Sequence, residues 1–85
     1  MKMEASFIIT TTESIPGMRI VRIIGTVTAS RTIWVSASRA MEKVNEDLIR
    51  KAREMGGNAI IGVRYQKDWL GNVMAAGTVV TAAPG

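Results

Sequence analysis

Three arginines and one tryptophan are the residues whose type and spacing point most directly to chemistry in this sequence. Arg22 and Arg64 lie inside otherwise apolar stretches, where an unpaired cation is costly and must find a carboxylate or a bound anion. Arg31 lies close to Trp34, whose ring can stack on a planar ligand. We therefore predict that Arg22, Arg31, Arg64 and Trp34 bind a small anionic or planar anionic ligand. The alternative is structural, with the arginines in ion pairs between subunits and Trp34 as the anchor of an interface.

Tyr65, Lys67 and Asp68 form the one group that suggests proton transfer. A tyrosine and a lysine together can move protons, but such residues at a strand end also make an ordinary solvated turn. The sequence contains no Cys and no His, which excludes catalytic dyads and triads built on them. We predict that the protein is not an enzyme, with a small enzyme that uses Tyr65 and Lys67 as an alternative.

The sequence lacks the side chains that most often bind transition metals in proteins. Transition metals in proteins are held mainly by thiolate and imidazole ligands, and the sequence offers neither. Four of the six methionines, Met18, Met41, Met55 and Met74, lie within or beside predicted core elements and are expected to be packing residues. We predict no metal site and no cofactor.

Length and charge narrow the class of protein. The 85 residues are enough for a single domain, residues 1–85. The net charge of +4 favours salt-dependent adhesion to polyanions, but no motif that reads nucleic acid is present, so specific binding is not expected. No apolar run approaches the ~18 residues that span a membrane. The N-terminal MKMEASF lacks a signal-peptide core, which predicts a cytoplasmic protein.

One helix is predicted from Ala37 to Met55. Its apolar residues recur every three or four positions and share one face; they are Met41, Val44, Leu48, Ala52 and Met55. Gly56, Gly57 and Asn58 predict the helix end, because Gly and Asn accept the left-handed conformation of a C-terminal cap. Ser36 and Ser38 are candidate N-caps.

The other apolar stretches predict strands, at Ser6–Thr11, Arg19–Ala29, Ala59–Tyr65 and Val73–Ala82. The second strand, the helix and the third strand form a crossover, which makes the two strands parallel. The last strand turns back antiparallel and fits between them. We predict a two-layer α+β subunit of order β-β-α-β-β, with a three-stranded, mostly antiparallel sheet and one helix on one face.

Apolar residues on both faces of the second strand predict self-association. Strict alternation places Val21, Ile23 and Val27 on one face and Ile20 and Ile24 on the other. A single helix covers only one face, and an exposed face is expected to alternate towards polar side chains. We therefore expect the second face or the sheet edges to be buried against other copies of the chain.

Two segments resemble a known family. Arg53–Tyr65, REMGGNAIIGVRY, and Thr10–Ala29, TTTESIPGMRIVRIIGTVTA, are similar to the helix end and to the opening strands of the YbjQ-like family, which is labelled as heavy-metal-binding. The resemblance spans about Phe7 to Thr81. It implies an α+β subunit in a closed ring, usually of five copies, and a short N-terminal strand that adds to a neighbour's sheet.

The chain departs from the family pattern in two respects. Ser30–Val35 is shorter than the insert that typical members carry between the second strand and the helix. The heavy-metal label cannot be carried onto any residue, because Cys and His are absent; a metal-binding protein is therefore a disfavoured alternative. We predict a non-enzymatic homo-oligomer, a homo-pentamer or stacked rings, that binds a small anionic or planar ligand at subunit interfaces.

Overall fold

The computed structural model describes residues 7–32, 37–67 and 72–85. Its elements are β1 (Ile8–Ile9), β2 (Met18–Thr32), α1 (Ala37–Glu54), β3 (Ala59–Lys67) and β4 (Asn72–Pro84). The predicted order of strands and helix is therefore confirmed. β2, β3 and β4 all extend beyond their predicted ends, and β1 is shorter than predicted.

Helix α1 packs its apolar face against one side of the sheet. Val44, Leu48 and Ala52 are fully buried, as their helical spacing predicts. The helix ends where Gly56 adopts a left-handed φ of 90°, and the amide of Gly57 donates to the carbonyl of Ala52 at 2.9 Å. This arrangement is that of a glycine C-terminal cap. Of the two candidate N-caps, Ser36 lies outside the described residues.

The sheet has four strands in the order β1-β3-β4-β2. β4 lies between β2 and β3 and is antiparallel to both, so the predicted placement of the last strand is confirmed. The predicted count of three strands is wrong. Ile8 and Ile9 pair in parallel with Ala59 and Ile60 of the same chain, so β1 extends its own sheet.

Two register shifts in β2 change which side chains face the helix. They fall between Ile20 and Arg22 and between Ile23 and Gly25. Each shift inserts one extra residue and so reverses the alternation of faces beyond it. Val27 consequently packs against the helix, whereas Ile23 lies opposite it and is 66% exposed. The predicted grouping of Val21, Ile23 and Val27 on one face is wrong for this reason.

A second cluster of apolar residues lies on the face of the sheet opposite the helix. It buries Ala59, Ile61, Val80 and Ala82 together with Ile15, which belongs to the segment that joins β1 to β2. The chain therefore covers part of its own second face. The remainder of that face, towards the other end of β2, is exposed.

Candidate functional site

The candidate site is a pocket on the exposed part of the sheet face opposite the helix. Its volume is about 260 Å³, and it is lined by Thr28, Ala29, Ser30, Arg64, Gln66, Met74, Ala75 and Ala76. The volume is slightly below the ~300–1,000 Å³ that is usual for small-molecule pockets.

Strand register explains how these side chains come together. Ala76 of β4 pairs with Thr28 on one side and with Arg64 on the other. Directly paired residues of antiparallel strands project from the same face. Arg64, Ala76 and Thr28 therefore form one row across the sheet.

A second row lies two residues further along the strands. Met74 of β4 pairs with Ser30 of β2 and with Gln66 of β3. The central strand thus supplies an apolar floor of Ala76 and Met74, and the outer strands supply polar side chains. With strands spaced ~4.8 Å apart, the two polar walls rise from backbones roughly 10 Å apart.

The electrostatics of the pocket are one-sided. Among the lining residues that the structure describes, Arg64 is the only charged one and none is acidic. Within the described part of the chain, no carboxylate pairs with Arg64. Thr28, Ser30 and Gln66 add hydroxyl and amide donors. The arrangement is suited to holding an anion.

Arg31, the second predicted site residue, is engaged in an ion pair on the helix side of the sheet. Its Nη2 lies 2.9 Å from Oδ2 of Asp47, and its Nε donates to the same oxygen at 3.0 Å. Arg50 contacts the other oxygen of Asp47 at 3.3 Å. Burial acts to raise the pKa of Asp47, but hydrogen bonds and charge from Arg31 and Arg50 outweigh it and lower that pKa. In this chain, Arg31 therefore ties β2 to α1.

Arg22 lies apart from the pocket. It is exposed on β2 opposite Thr81, on the helix side of the sheet and six residues before Thr28. Within one chain, Arg22, Arg31 and Arg64 therefore occupy three separate places, and only Arg64 lines the pocket. Trp34, the fourth predicted site residue, lies outside the described residues.

Tyr65 points away from the pocket, towards the helix. Its hydroxyl donates a 2.7 Å hydrogen bond to Oδ1 of Asn45 in α1. Burial raises the pKa of Tyr65, and the hydrogen bond with Asn45 offsets part of that effect. Asp68 lies outside the described residues. A phenol that is half-buried, hydrogen-bonded and less acidic than usual is poorly suited to proton transfer at neutral pH.

The pocket residues other than Arg64 were not predicted from the sequence. Thr26, Thr28 and Ser30 form an alternating run of small polar residues, and this run was the available signal for an exposed stretch of β2. Met74, expected to pack in the core, is 50% exposed in the pocket floor.

The described residues form neither a metal-ligand cluster nor a membrane-spanning helix. Across residues 7–32, 37–67 and 72–85, no three acidic side chains cluster closely enough to hold a metal ion. In the same ranges, α1 contains too few apolar residues to cross a membrane.

The sequence is similar to those of known proteins. Residues 2–84 match the sequence profile described as "C2 domain-containing protein 5, YbjQ-like domain". A UPF0145 protein of Burkholderia thailandensis is 33% identical over an alignment that covers 88% of this chain and 92% of that protein. The alignment runs over 102 positions, so the relative carries residues that this shorter chain lacks.

The fold is similar to that of a solved structure. A crystal structure of a protein of unknown function from Pediococcus pentosaceus, assigned to the DUF74 family, superposes with a TM-score of 0.73. The match covers 91% of this chain and 98% of that one, at 20% identity. The profile match, the UPF0145 relative and the shared fold agree with the resemblance seen in the sequence. This chain belongs to the YbjQ-like domain family.

Proposed function

We propose that this protein is a non-enzymatic subunit of a homo-oligomeric ring that binds a small anion in the pocket beside Arg64. The observation that carries the proposal is the guanidinium of Arg64, which lines a pocket whose other described lining residues include no carboxylate. Arg64 is exposed, so its guanidinium is accessible to an anion from solution and can hold it through charge-assisted hydrogen bonds.

The two edges of the sheet support assembly. β1 and β2 are the outermost strands, and an unpaired strand edge is a template for pairing with another chain. Val21 and Ile23 on β2 are 54% and 66% exposed, although both are large and apolar. Burial of these side chains against a neighbour would remove apolar surface from water.

A head-to-tail arrangement follows from the difference between the two edges. When β2 of one subunit pairs with the β1 side of the next, the interface is heterologous, and such interfaces close into rings when the rotation allows. β1 can then remain in its own sheet and still add to a neighbour's. We propose that the ring contains five copies and that the protein is cytoplasmic, as predicted from the sequence.

The pocket lies near the edge that would pair. Thr28 and Ser30 belong to β2, so a neighbour that contacts Val21 and Ile23 lies near one wall of the pocket. Cyclic symmetry also repeats Arg22 and Arg64 around the axis, which concentrates positive potential. A ligand at or near subunit interfaces is consistent with both features.

Native mass spectrometry of untagged protein, purified without added ligand, tests the assembly. We expect one closed oligomer in the wild type and a shift to monomer in Ile23→Lys, because the charge opposes burial at the edge. Lys43→Ala, on the exposed side of α1, is the matched control and should leave the ring intact. A wild-type monomer at micromolar concentration would refute the ring.

Binding of simple anions tests the pocket. We expect ligand-observed NMR to detect equal acetate binding by the wild type and by Lys43→Gln, and no acetate binding by Arg64→Gln. Equal binding by all three proteins would mean that Arg64 is not the anion-binding residue.

The alternative enzyme is less well supported by the geometry. Tyr65 donates its hydroxyl to Asn45 and faces the helix, whereas the pocket opens on the other face. The metal-binding alternative lacks a set of ligands among the described residues. An enzymatic reaction of the wild type that is lost in Tyr65→Phe would favour the enzyme alternative instead.

A further inference from the structure

The chemistry of the pocket specifies more than the charge of its ligand. It combines a single cation with an apolar floor and with hydroxyl groups on the opposite wall. From this combination we infer that the ligand is an aromatic monocarboxylate that carries a hydroxyl or similar polar group opposite its carboxylate. The inference rests on the proposed anion site and deepens it.

The single guanidinium favours a carboxylate over a phosphate. Arg presents a planar fork that matches the two oxygens of a carboxylate. A phosphate dianion is commonly held by additional cations or by a helix N-terminus. In the parts of the chain that the structure describes, the pocket lining offers no second cation, and the pocket lies on the face of the sheet opposite α1.

The floor favours a flat apolar body. Ala76 is the central residue of its row, between Arg64 and Thr28, and its small side chain leaves the depression open. Met74, beside it in the next row, exposes half of its surface, and a thioether makes favourable contacts with aromatic rings. A simple oxyanion would leave most of the 260 Å³ unfilled.

The far wall favours a second polar group. Thr28 and Ser30 face Arg64 and Gln66 across the floor. Their backbones are roughly 10 Å apart, and side chains from both walls shorten the gap to about the span of one substituted ring. A hydroxyl opposite the carboxylate can therefore reach Ser30 or Thr28 while the carboxylate contacts Arg64.

Four probes separate these contributions by titration calorimetry of the protein in its purified oligomeric state. They are acetate, benzoate, 4-hydroxybenzoate and inorganic phosphate. We expect affinity to increase from acetate to benzoate by roughly tenfold, because the ring buries apolar surface. A further increase is expected for 4-hydroxybenzoate, and phosphate should bind more weakly than benzoate.

Single substitutions assign each contribution to a residue. Arg64→Gln should reduce 4-hydroxybenzoate affinity by about tenfold or more, because it removes a charge-assisted pair. Lys43→Gln, which removes one positive charge from the exposed side of α1, should leave the affinity unchanged. Ala76→Leu should remove the advantage of benzoate over acetate by filling the floor. Ser30→Ala should reduce 4-hydroxybenzoate to the level of benzoate. Circular dichroism and native mass spectrometry should be used to check that each variant is folded and assembled.

The outcomes distinguish the inferred aromatic carboxylate from the proposed anion site on which it rests. Arg64-dependent binding in which benzoate is no tighter than acetate, or phosphate is tightest, overturns the aromatic carboxylate and leaves the anion site standing. If none of the four probes shows binding that depends on Arg64, both are overturned. Should Ala76→Leu disturb the fold, Met74→Gln tests the same floor and is expected to weaken benzoate but not acetate.

Discussion

The ammonium of Lys51 donates a 2.7 Å hydrogen bond to the backbone carbonyl of Thr28. This contact joins the last turns of α1 to the edge strand β2. Thr28 also lines the pocket, so a helix on one face of the sheet holds a strand that forms the pocket wall on the other. Part of the β2 edge is covered in this way, whereas Val21 and Ile23, nearer the start of the strand, are exposed.

Replacement of Lys51 by Met is expected to loosen the middle of β2. The stability cost should stay below about 1 kcal/mol, because the bond is exposed to water. Hydrogen exchange measures the local effect directly, and amides near Thr28 should exchange faster than in the wild type. Lys43→Met, which replaces an exposed lysine of the same helix, should not change hydrogen exchange in β2. Identical exchange in both variants would show that Lys51 does not hold the strand.

Asp47→Asn should weaken the link between α1 and β2. The side chains of Arg31, Arg50 and Asp47 are 47%, 57% and 18% exposed, so we expect a loss of only about 0.5–1 kcal/mol at pH 7. Because the folded state lowers the pKa of Asp47 from 3.8, this contribution is present above that pH. It is lost as pH falls through the lower folded-state value.

Urea unfolding of the wild type and of Asp47→Asn at neutral and acidic pH measures this dependence. The difference between the two proteins should shrink as pH falls below 3.8. Glu54→Gln is the control, because Glu54 is 67% exposed and contacts Arg50 at 3.8 Å. A difference that persists unchanged at acidic pH would contradict the ion-pair explanation.

Tyr65→Phe should destabilise the protein by about 1 kcal/mol. The substitution removes the hydrogen bond to Asn45 and leaves Oδ1 of Asn45 without the phenol donor. Tyr65 is the single tyrosine of the chain, so phenolate absorbance reports on it alone. Because burial raises its pKa above 10.0, the phenol should titrate later in the folded than in the unfolded protein. Stability should accordingly fall as pH rises past 10. Coincident titrations in the two states would contradict this.

Gly77→Ala should cost about 1–3 kcal/mol through overpacking. A Cβ at this position would lie 2.6 Å from Cγ2 of Ile60 and 2.9 Å from Cγ2 of Val63. Gly25→Ala is the matched control, because its Cβ would meet only the flexible end of Met55, at 3.2 Å. Its stability should change by no more than about 0.5 kcal/mol. Urea midpoints of equal value for the two variants would show that β3 and β4 are not packed as described.

Local sequence patterns predicted α1 and the order of strands closely. The spacing of Val44, Leu48 and Ala52 depends only on the helical repeat, and Gly56 ends the helix through its own backbone freedom. The antiparallel placement of β4 between β2 and β3 follows from connection lengths and crossover rules. These features required no knowledge of contacts between distant residues, and the family resemblance was visible in the same segments.

Tertiary structure decided the faces of β2 and the composition of the pocket. The register shifts beside Arg22 and Gly25 arise from pairing with β4, which a count of alternating residues in β2 alone does not reveal. The row of Thr28, Ala76 and Arg64 joins three strands that are distant in sequence. The sequence pattern predicted that Arg64 needs an anionic partner, because its neighbours in the strand are apolar, but the side chain is exposed and water can solvate it. Only strand pairing across the sheet decided which hydroxyl and apolar side chains surround that partner.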